Sequence, residues 1–407
     1  MAGEVAAPAR RPRGRRSQIL TVAAEQFHRH GYHQVSMADV AAAVGITAPA
    51  LYRHYRGKPE LLRQAVRAGL DELARAVTAA ESAAGAATEA AGPAALAERL
   101  ARVALDQRAL GTLWQRDARL LPPAQRAELR RALRADVRRA ARVLTAARPE
   151  LEPAQAESLL WAALSVGASL SNHTFAPPRR RFERLLRELL LALLAVRCAG
   201  HPARRPARPV PPDPPPAGRR EELLVAAVRL FHERGFDNVT TDRLGAAVGI
   251  AGPSVYKHFP TKAELLAAAL VRSRERLWHE VTGAIAGVAT PAEALECGLG
   301  AYLDFARRHH HYLGAVVSET DRLGEPDRKA ALDFRRDFLR IWVDLLRQVR
   351  PGYDNAEARI RVHAMFGLVN DAVRHPGRLA DPALTPCLDH LAHAVLGLPA
   401  ELRTSPG

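Results

Sequence analysis

Lysine is scarce in this chain of 407 residues: it stands only at positions 58, 257, 262 and 329, although Lys and Arg together number 59. The cationic surface is therefore almost all guanidinium, and the few ammonium groups stand out. Cysteine occurs three times, at 198, 297 and 387, far apart and odd in number. That pattern indicates neither a disulfide framework nor a thiolate metal cluster, and it suits a reducing cytoplasm. Long apolar runs are missing too. The longest, Leu189 to Val196, falls well short of the roughly 20 residues that cross a bilayer, and the Arg-rich N-terminus adjoins no apolar signal core. No membrane association is expected. A convergent catalytic set is also absent: no nucleophile stands with a base, no metal ligands recur at ligand spacing, and no glycine loop has the phosphate-cradling pattern. The triplet His309-His310-His311 points in several directions on a helix and reads as a solvated helix end. The expectation is a protein that is not an enzyme and holds no metal or cofactor.

What the sequence has is a duplication. Gly45-Ile46-Thr47-Ala48-Pro49-Ala50-Leu51-Tyr52-Arg53-His54-Tyr55 returns as Gly249-Ile250-Ala251-Gly252-Pro253-Ser254-Val255-Tyr256-Lys257-His258-Phe259, and no gap is needed from Arg15/Arg219 through Leu62/Leu266. The offset of 204 residues lies far above the 20 to 50 of solenoid repeats, so two folded units are expected and not an array. The formal charge of +16 favours a polyanion partner, although an Arg- and Ala-rich coding bias produces such a charge without any binding role. Three of the four lysines fall inside the repeated stretches.

The first copy reads as two short helices about a tight turn. Ser36 caps the first, with Asp39 completing a capping-box pattern, and Val40, Ala41 and Val44 form its apolar stripe. Gly45 supplies the positive φ of a helix C-cap. Ile46 drops into the core, Thr47 caps the second helix, and Pro49 is tolerated in its first turn. Leu51 and Tyr55 face inward, which leaves Thr47, Ala48, Pro49, Ala50, Tyr52, Arg53 and His54 on or near the outer face, where a groove-reading helix needs short residues and donors. Before this stretch Ile19, Ala23 and Phe27 line one face of a helix that stops at Gly31. Leu223, Ala227, Phe231 and Gly235 repeat that pattern.

These residues resemble the DNA-binding domain of the TetR family of bacterial regulators. In that family a Gly-[Val/Ile]-x-x-x-x-[Leu/Val]-Tyr-x-x-[Phe/Tyr]-x-x-Lys-x-x-Leu-[Leu/Ile] run closes a helix-turn-helix and opens the fourth helix, and both copies satisfy it, ending in Lys58 to Leu62 and Lys262 to Leu266. The resemblance implies phosphate contacts from Tyr52, Lys58, Tyr256 and Lys262. It places base-edge contacts on Ala48, Pro49, Ala50, Arg53 and His54, and on Gly252, Pro253, Ser254, Lys257 and His258. Arg15, Arg16, Ser36, Thr47, Thr240 and Thr241 complete the expected DNA-facing set. It further implies an all-α fold of two consecutive TetR-like units, each a three-helix head followed by a helical ligand-binding and dimerisation body.

The expected layout is a disordered basic arm over 1–14, heads over 15–62 and 219–266, bodies over 63–198 and 267–399, and a Pro-rich linker over 199–218. Pro93, Pro123 and Pro153 suit the first turns of body helices, and Arg179 opens a last one carrying Leu185, Leu186, Leu189, Leu190, Leu193 and Leu194. The second body repeats the plan over Pro291 to Arg308, His311 to Leu323, Pro326 to Arg350, Asn355 to Arg374 and Pro382 to Leu396. In the family the last two helices form a four-helix dimer interface, for which Ala162, Ser165, Val166 and Ser169 are suited; packing within one half is the alternative. Candidate residues for an unknown small-molecule effector are Trp114, Arg116, Trp161, Asn172 and Phe175 in the first half, and Phe305, Trp342, His363, Phe366 and Asn370 in the second.

A linker of polyproline character reaches on the order of 50 Å, ample for the halves to dock side by side. The resulting expectation is an intramolecular pseudo-dimer on a double-stranded DNA operator, with a further homodimer left open. The copies also differ. Ala251 lacks the capping hydroxyl of Thr47, Arg53 faces Lys257 and Ala50 faces Ser254, which predicts unequal half-sites. Two alternatives stand beside this reading: a nonspecific architectural DNA binder, and a regulator whose second head no longer reads DNA.

Overall fold

The computed structural model describes residues 14–86, 91–197, 216–374 and 387–398. The expected N-terminal arm and Pro-rich linker fall almost wholly outside them, as do part of the Ala83 to Gly92 stretch and the Pro382 start of the last helix. Among the described residues there are helices and no strands. The first half runs α1 Arg15–His30, α2 Met37–Val44, α3 Ala48–Tyr52, α4 Lys58–Ala86 and α5 Ala91–Asp106. A short α6, Leu110–Thr112, continues into a π-helical turn at Leu113–Asp117 and a 3₁₀ turn at Ala118–Leu120, before α7 Pro123–Ala147, α8 Pro153–Ser169 and α9 Arg179–Leu194. The second half runs α10 Arg219–Arg234, α11 Thr241–Ala247, a 3₁₀ turn Gly252–Lys257, α12 Lys262–Ile285, α13 Pro291–Arg308, α14 His310–Glu319, α15 Glu325–Val349, α16 Asn355–Arg374 and α17 Cys387–Leu396. No described helix is long and apolar enough to cross a membrane.

Proline sets several of these starts. α7, α8 and α13 each begin on one, where the missing N–H is lost at no cost and φ is already helical. Thr290 and Glu293 add a capping box to α13.

The chain forms two compact units, residues 1–147 with 170–174, and residues 148–169 with 175–407. The division does not fall at the linker. In the first unit α4 packs on α1, α5 and α7, burying Ile19, Phe27, Leu61, Leu62 and Leu96 completely. Each such side chain contributes about 1.5–3 kcal/mol over an exposed one.

In the second unit α8 and α9, the last helices of the first half, pack against α16 and α17, the last of the second. This is why the division falls at residue 148. The α8–α16 seam is close because it is built from small residues: a Cβ added to Gly367 would lie 2.5 Å from Ser169 Cβ and 3.2 Å from the Ser165 carbonyl. At its centre the buried Ser165 hydroxyl donates to Asp371 Oδ2 at 2.8 Å. At the edge Arg181 pairs with Asp354 at 2.6 Å. Ala162, Ser165, Val166 and Ser169 are all buried.

One expectation is corrected. Cys387, only 1% exposed at the start of α17, is disulfide-bonded, whereas Cys297 is a free thiol and Cys198 lies outside the described residues.

The histidine triplet also differs from the solvated helix end expected. α10 of the second head packs on α14, with His232 against Gly314 and 5.9 Å from the His310 ring. Burial, with the charges of Arg276, Arg308 and His310, lowers the pKa of His309 to about 4; burial, with His310, His309, His232 and Arg276, does the same for His311. Glu280 is the acid that faces His309, at 3.7 Å. Both rings thus fold neutral, and between pH of about 6.5 and about 4 the unfolded chain binds protons that the folded one refuses. Stability present above pH of about 6.5 is lost as the pH falls toward 4. A His311→Phe variant is expected to show a flatter dependence of melting temperature on pH across that window; an unchanged slope would reject this origin.

Candidate nucleic-acid interface

Each head is a three-helix unit closed by the start of the long fourth helix. In the first, Ser36 Oγ accepts from Asp39 N at 3.1 Å while Ser36 N donates to Asp39 Oδ2 at 2.8 Å, the reciprocal capping box. The Ser36 hydrogen bonds hold the Asp39 carboxyl below its ordinary pKa. Gly45 ends α2 at φ 75°, a value costly for any residue with a Cβ. Thr47 Oγ1 then accepts from Ala50 N at 3.4 Å and opens α3. Leu51 and Tyr55 are buried at 0% and 1%, and this fixes the opposite face outward: Tyr52 is 52% exposed, with Thr47, Pro49, Arg53 and His54 also exposed and Ala48 and Ala50 half-buried.

The second head repeats the plan with different chemistry. Thr240 Oγ1 accepts from Arg243 N at 3.3 Å and starts α11, but Ala251 offers no side-chain cap and the following turn is 3₁₀. An uncapped first turn satisfies its donors by the tighter i to i+3 pattern, as Ser254 N to Ala251 O at 2.9 Å does here. Tyr256 is 50% exposed; Pro253 and Lys257 are exposed, and Ser254 and His258 half-buried. Gly252 is buried. A Cβ on it would meet Asp242 Oδ1 and lie 3.0 Å from the Asp242 Cα, so it is the residue that lets the turn close on α11, not one presented for base contact.

The two lysines of the motif are turned inward. Lys58 Nζ donates to the carbonyls of Tyr32 at 2.8 Å and Val35 at 2.9 Å, with His33 O at 3.4 Å, and lies 4.5 Å from the Tyr32 ring centre. Burial lowers its pKa. Lys262 does the same with Phe236 O and Val239 O, both at 2.9 Å, and sits 4.2 Å from the Phe236 ring. Each ammonium, expected at phosphate, clasps the turn between the first two helices of its head. Arg16 and Arg220 form a second matched pair, over the Tyr55 ring at 5.6 Å and the Phe259 ring at 4.5 Å. Arg15 and Arg16 are exposed at the start of α1, Thr240 is exposed and Thr241 half-buried.

Arg116, in the π-helical turn beside Trp114, donates from Nη2 to Phe27 O at 3.0 Å and from Nε to the buried Asp117 at 2.7 Å, so it joins the end of α1 to the body. Phe175 lies under the Arg359 guanidinium at 5.6 Å. Trp161 and Asn172 are half-buried. In the second half Phe305 and Trp342 are fully buried and His363 is buried. Trp342 and Phe366 do meet, at 5.7 Å, and Tyr302 OH donates to Asn370 Oδ1 at 2.9 Å beside them. No group of three or more metal-ligating side chains occurs among the described residues.

Residues 19–65 and 223–269 both match the family of bacterial regulatory proteins called tetR. The HTH-type transcriptional repressor KstR2 of Mycobacterium tuberculosis is 30% identical over 137 residues, which span 33% of this chain and 68% of that protein. The HTH-type transcriptional activator FasR of Mycolicibacterium smegmatis is 31% identical over 108 residues, 26% of this chain and 49% of that one. The solved structure of KstR2 aligns at a TM-score of 0.39 with 26% identity, over 44% of this chain and 94% of its own. With two matched DNA-binding segments and all-helical halves, the chain belongs to the TetR family of DNA-binding transcriptional regulators and carries two TetR-like units in tandem.

Proposed function

We propose that a single chain acts as a pseudo-dimer, a sequence-specific regulator whose two heads occupy two unequal half-sites of one operator until a small-molecule effector releases them. The observation that carries this reading is the packing of α8 and α9 of the first half against α16 and α17 of the second. In the family, as the resemblance implies, the same helices pair two separate chains. Here the second half takes the place of the second chain.

Within that reading Tyr52 and Tyr256, with Arg15, Arg16, Ser36, Thr47, Thr240 and Thr241, reach phosphates. Ala48, Pro49, Ala50, Arg53 and His54 face one half-site, and Pro253, Ser254, Lys257 and His258 the other. Arg53 can fork two donors onto a guanine, whereas Lys257 offers a point charge, so the half-sites differ in sequence. Lys58, Lys262 and Gly252 shape the heads without touching DNA. Regulation is by occupancy of a promoter, that is, repression.

The test is light scattering with footprinting on the DNA flanking the gene. One chain per operator and two protected tracts with centres about 34 to 36 Å apart are expected, and assemblies of two chains on one operator would reject the pseudo-dimer. The uncapped 3₁₀ turn favours one alternative, a second head that no longer reads DNA; protection of a single tract is its signature. Displacement by unrelated DNA at moderate salt would instead mark an architectural binder, because counterion release dominates nonspecific affinity.

A further inference from the structure

Arg274 lies on α12 in the body of the second half and is only 7% exposed. Its Nη1 is wholly buried and has no hydrogen-bond partner. The carboxylates whose field reaches it are Asp327, in the first turn of α15, and the adjacent Glu275; neither bonds it. A buried guanidinium that no carboxylate bonds is unfavourable, because its desolvation outweighs the field of those two acids. The fold does not require it. At the offset of 204 the first half has Leu70, buried at 3% in the same position of α4.

One helical turn along the same face of α12 stands Trp278, whose counterpart in the first half is Ala74. Trp278 lies 6.0 Å from Phe334 and 6.3 Å from Phe338. Phe338 continues to Trp342 at 6.0 Å and stacks on Phe366 at 5.7 Å. Trp342 is fully buried, and its Nε1 also lacks a partner. Two unsatisfied donors thus flank one aromatic wall, and Trp278 and Phe334 at its near end are half-exposed.

We propose that Arg274 and this wall form the effector site of the chain, and that its ligand is a flat aromatic carboxylate: the carboxylate pairs with the Arg274 guanidinium and the ring packs against Trp278 and Phe334. A carboxylate supplies the bidentate partner that the guanidinium lacks, and offset ring stacking suits a planar aryl group. The first half, with Leu70 and Ala74, has neither feature, so the stoichiometry is one ligand per chain. This assignment rests on the reading of the protein as an effector-released regulator.

The test uses the full chain, with 2-naphthoate as probe and 2-naphthamide as its uncharged control, by calorimetry and by release of the footprinted DNA. Expected are one naphthoate per chain, no binding of the amide, and affinity lower by at least about tenfold in Arg274→Leu, the loss of a charge-assisted pair. Arg274→Leu without ligand is expected to melt higher than the natural chain, because an unpaired buried cation is replaced by the residue that the other half uses. Binding of acid and amide alike, naphthoate affinity unchanged in Arg274→Leu, or a lower melting temperature for that variant would overturn the site. Asp327→Asn separates the structural explanation: a large drop in melting temperature, restored by adding Arg274→Leu, would make Arg274 a partner of Asp327 and reject a ligand role. Naphthoate bound through Arg274 without release of DNA would leave the anion site standing and remove the effector reading, whereas release of DNA by other metabolites, unaffected in Arg274→Leu, would do the reverse.

Discussion

Replacing Lys58 with methionine is expected to unfold the first head locally and to abolish its share of DNA binding. Methionine keeps much of the aliphatic stem but removes an ammonium that holds Tyr32 O and Val35 O and faces the Tyr32 ring. Hydrogen bonds to a charged group are worth about 1.5–3 kcal/mol each, and a partly desolvated cation–π contact adds about 1; Lys58 is only half-buried, and solvent screening reduces that sum of about 4–7 to on the order of 3–5 kcal/mol. Against a domain stability of about 5–15 kcal/mol that is a large share. The carbonyls left behind lie in the turn that sets α2 against α1, so Tyr52 and Arg53 lose their platform, and operator affinity falls by more than about 100-fold. Amide exchange over residues 32–55 without DNA decides between a clasp and a phosphate contact. A clasp predicts lost protection in the free protein. A phosphate contact predicts unchanged protection, with the slope of log affinity against log salt smaller by about one.

The heads were legible in the sequence because their geometry is set by neighbours in the chain. Ser36 with Asp39, Gly45, and Thr47 with Pro49 each act within four residues, and the structure gives each the cap or turn its side chain dictates. The inward pair Leu51 and Tyr55 followed from helical spacing alone. What could not be read depends on partners far along the chain. Lys58 reads as a phosphate contact by resemblance, and nothing local shows that carbonyls 23 and 26 residues earlier converge on it. Arg116 looked like a pocket residue and joins α1 to the body, and Cys387 looked like a lone thiol. The second recognition turn shows a partial failure of another kind. Loss of the Thr47 hydroxyl at Ala251 was visible, but the change from α to 3₁₀ also needs Gly252 to close on Asp242, a contact across two elements.

The seam between α8 and α16 is where a single atom should have the largest effect on DNA recognition as a whole. Gly367→Ala places a Cβ 2.5 Å from Ser169 Cβ and 3.2 Å from the Ser165 carbonyl. Neither is the far end of a flexible side chain, so the helices must part, and overpacking of this kind costs about 1–3 kcal/mol. The buried Ser165–Asp371 hydrogen bond lies one turn away, and parting the helices breaks it, a further cost of about 1.5–3 kcal/mol for a hydrogen bond to a charged group. Each head is built from its own helices and should still bind an isolated half-site with unchanged affinity. If the halves form a pseudo-dimer, the full operator behaves differently, because its second contact depends on an effective concentration in the mM range that exists only while the halves are held together; its loss lowers affinity by about 10² to 10⁴-fold. Adding Ser169→Gly removes the opposing Cβ and should restore operator binding to Gly367→Ala. Equal losses on half-site and full operator, or no rescue by the second substitution, would show that this seam does not couple the two heads.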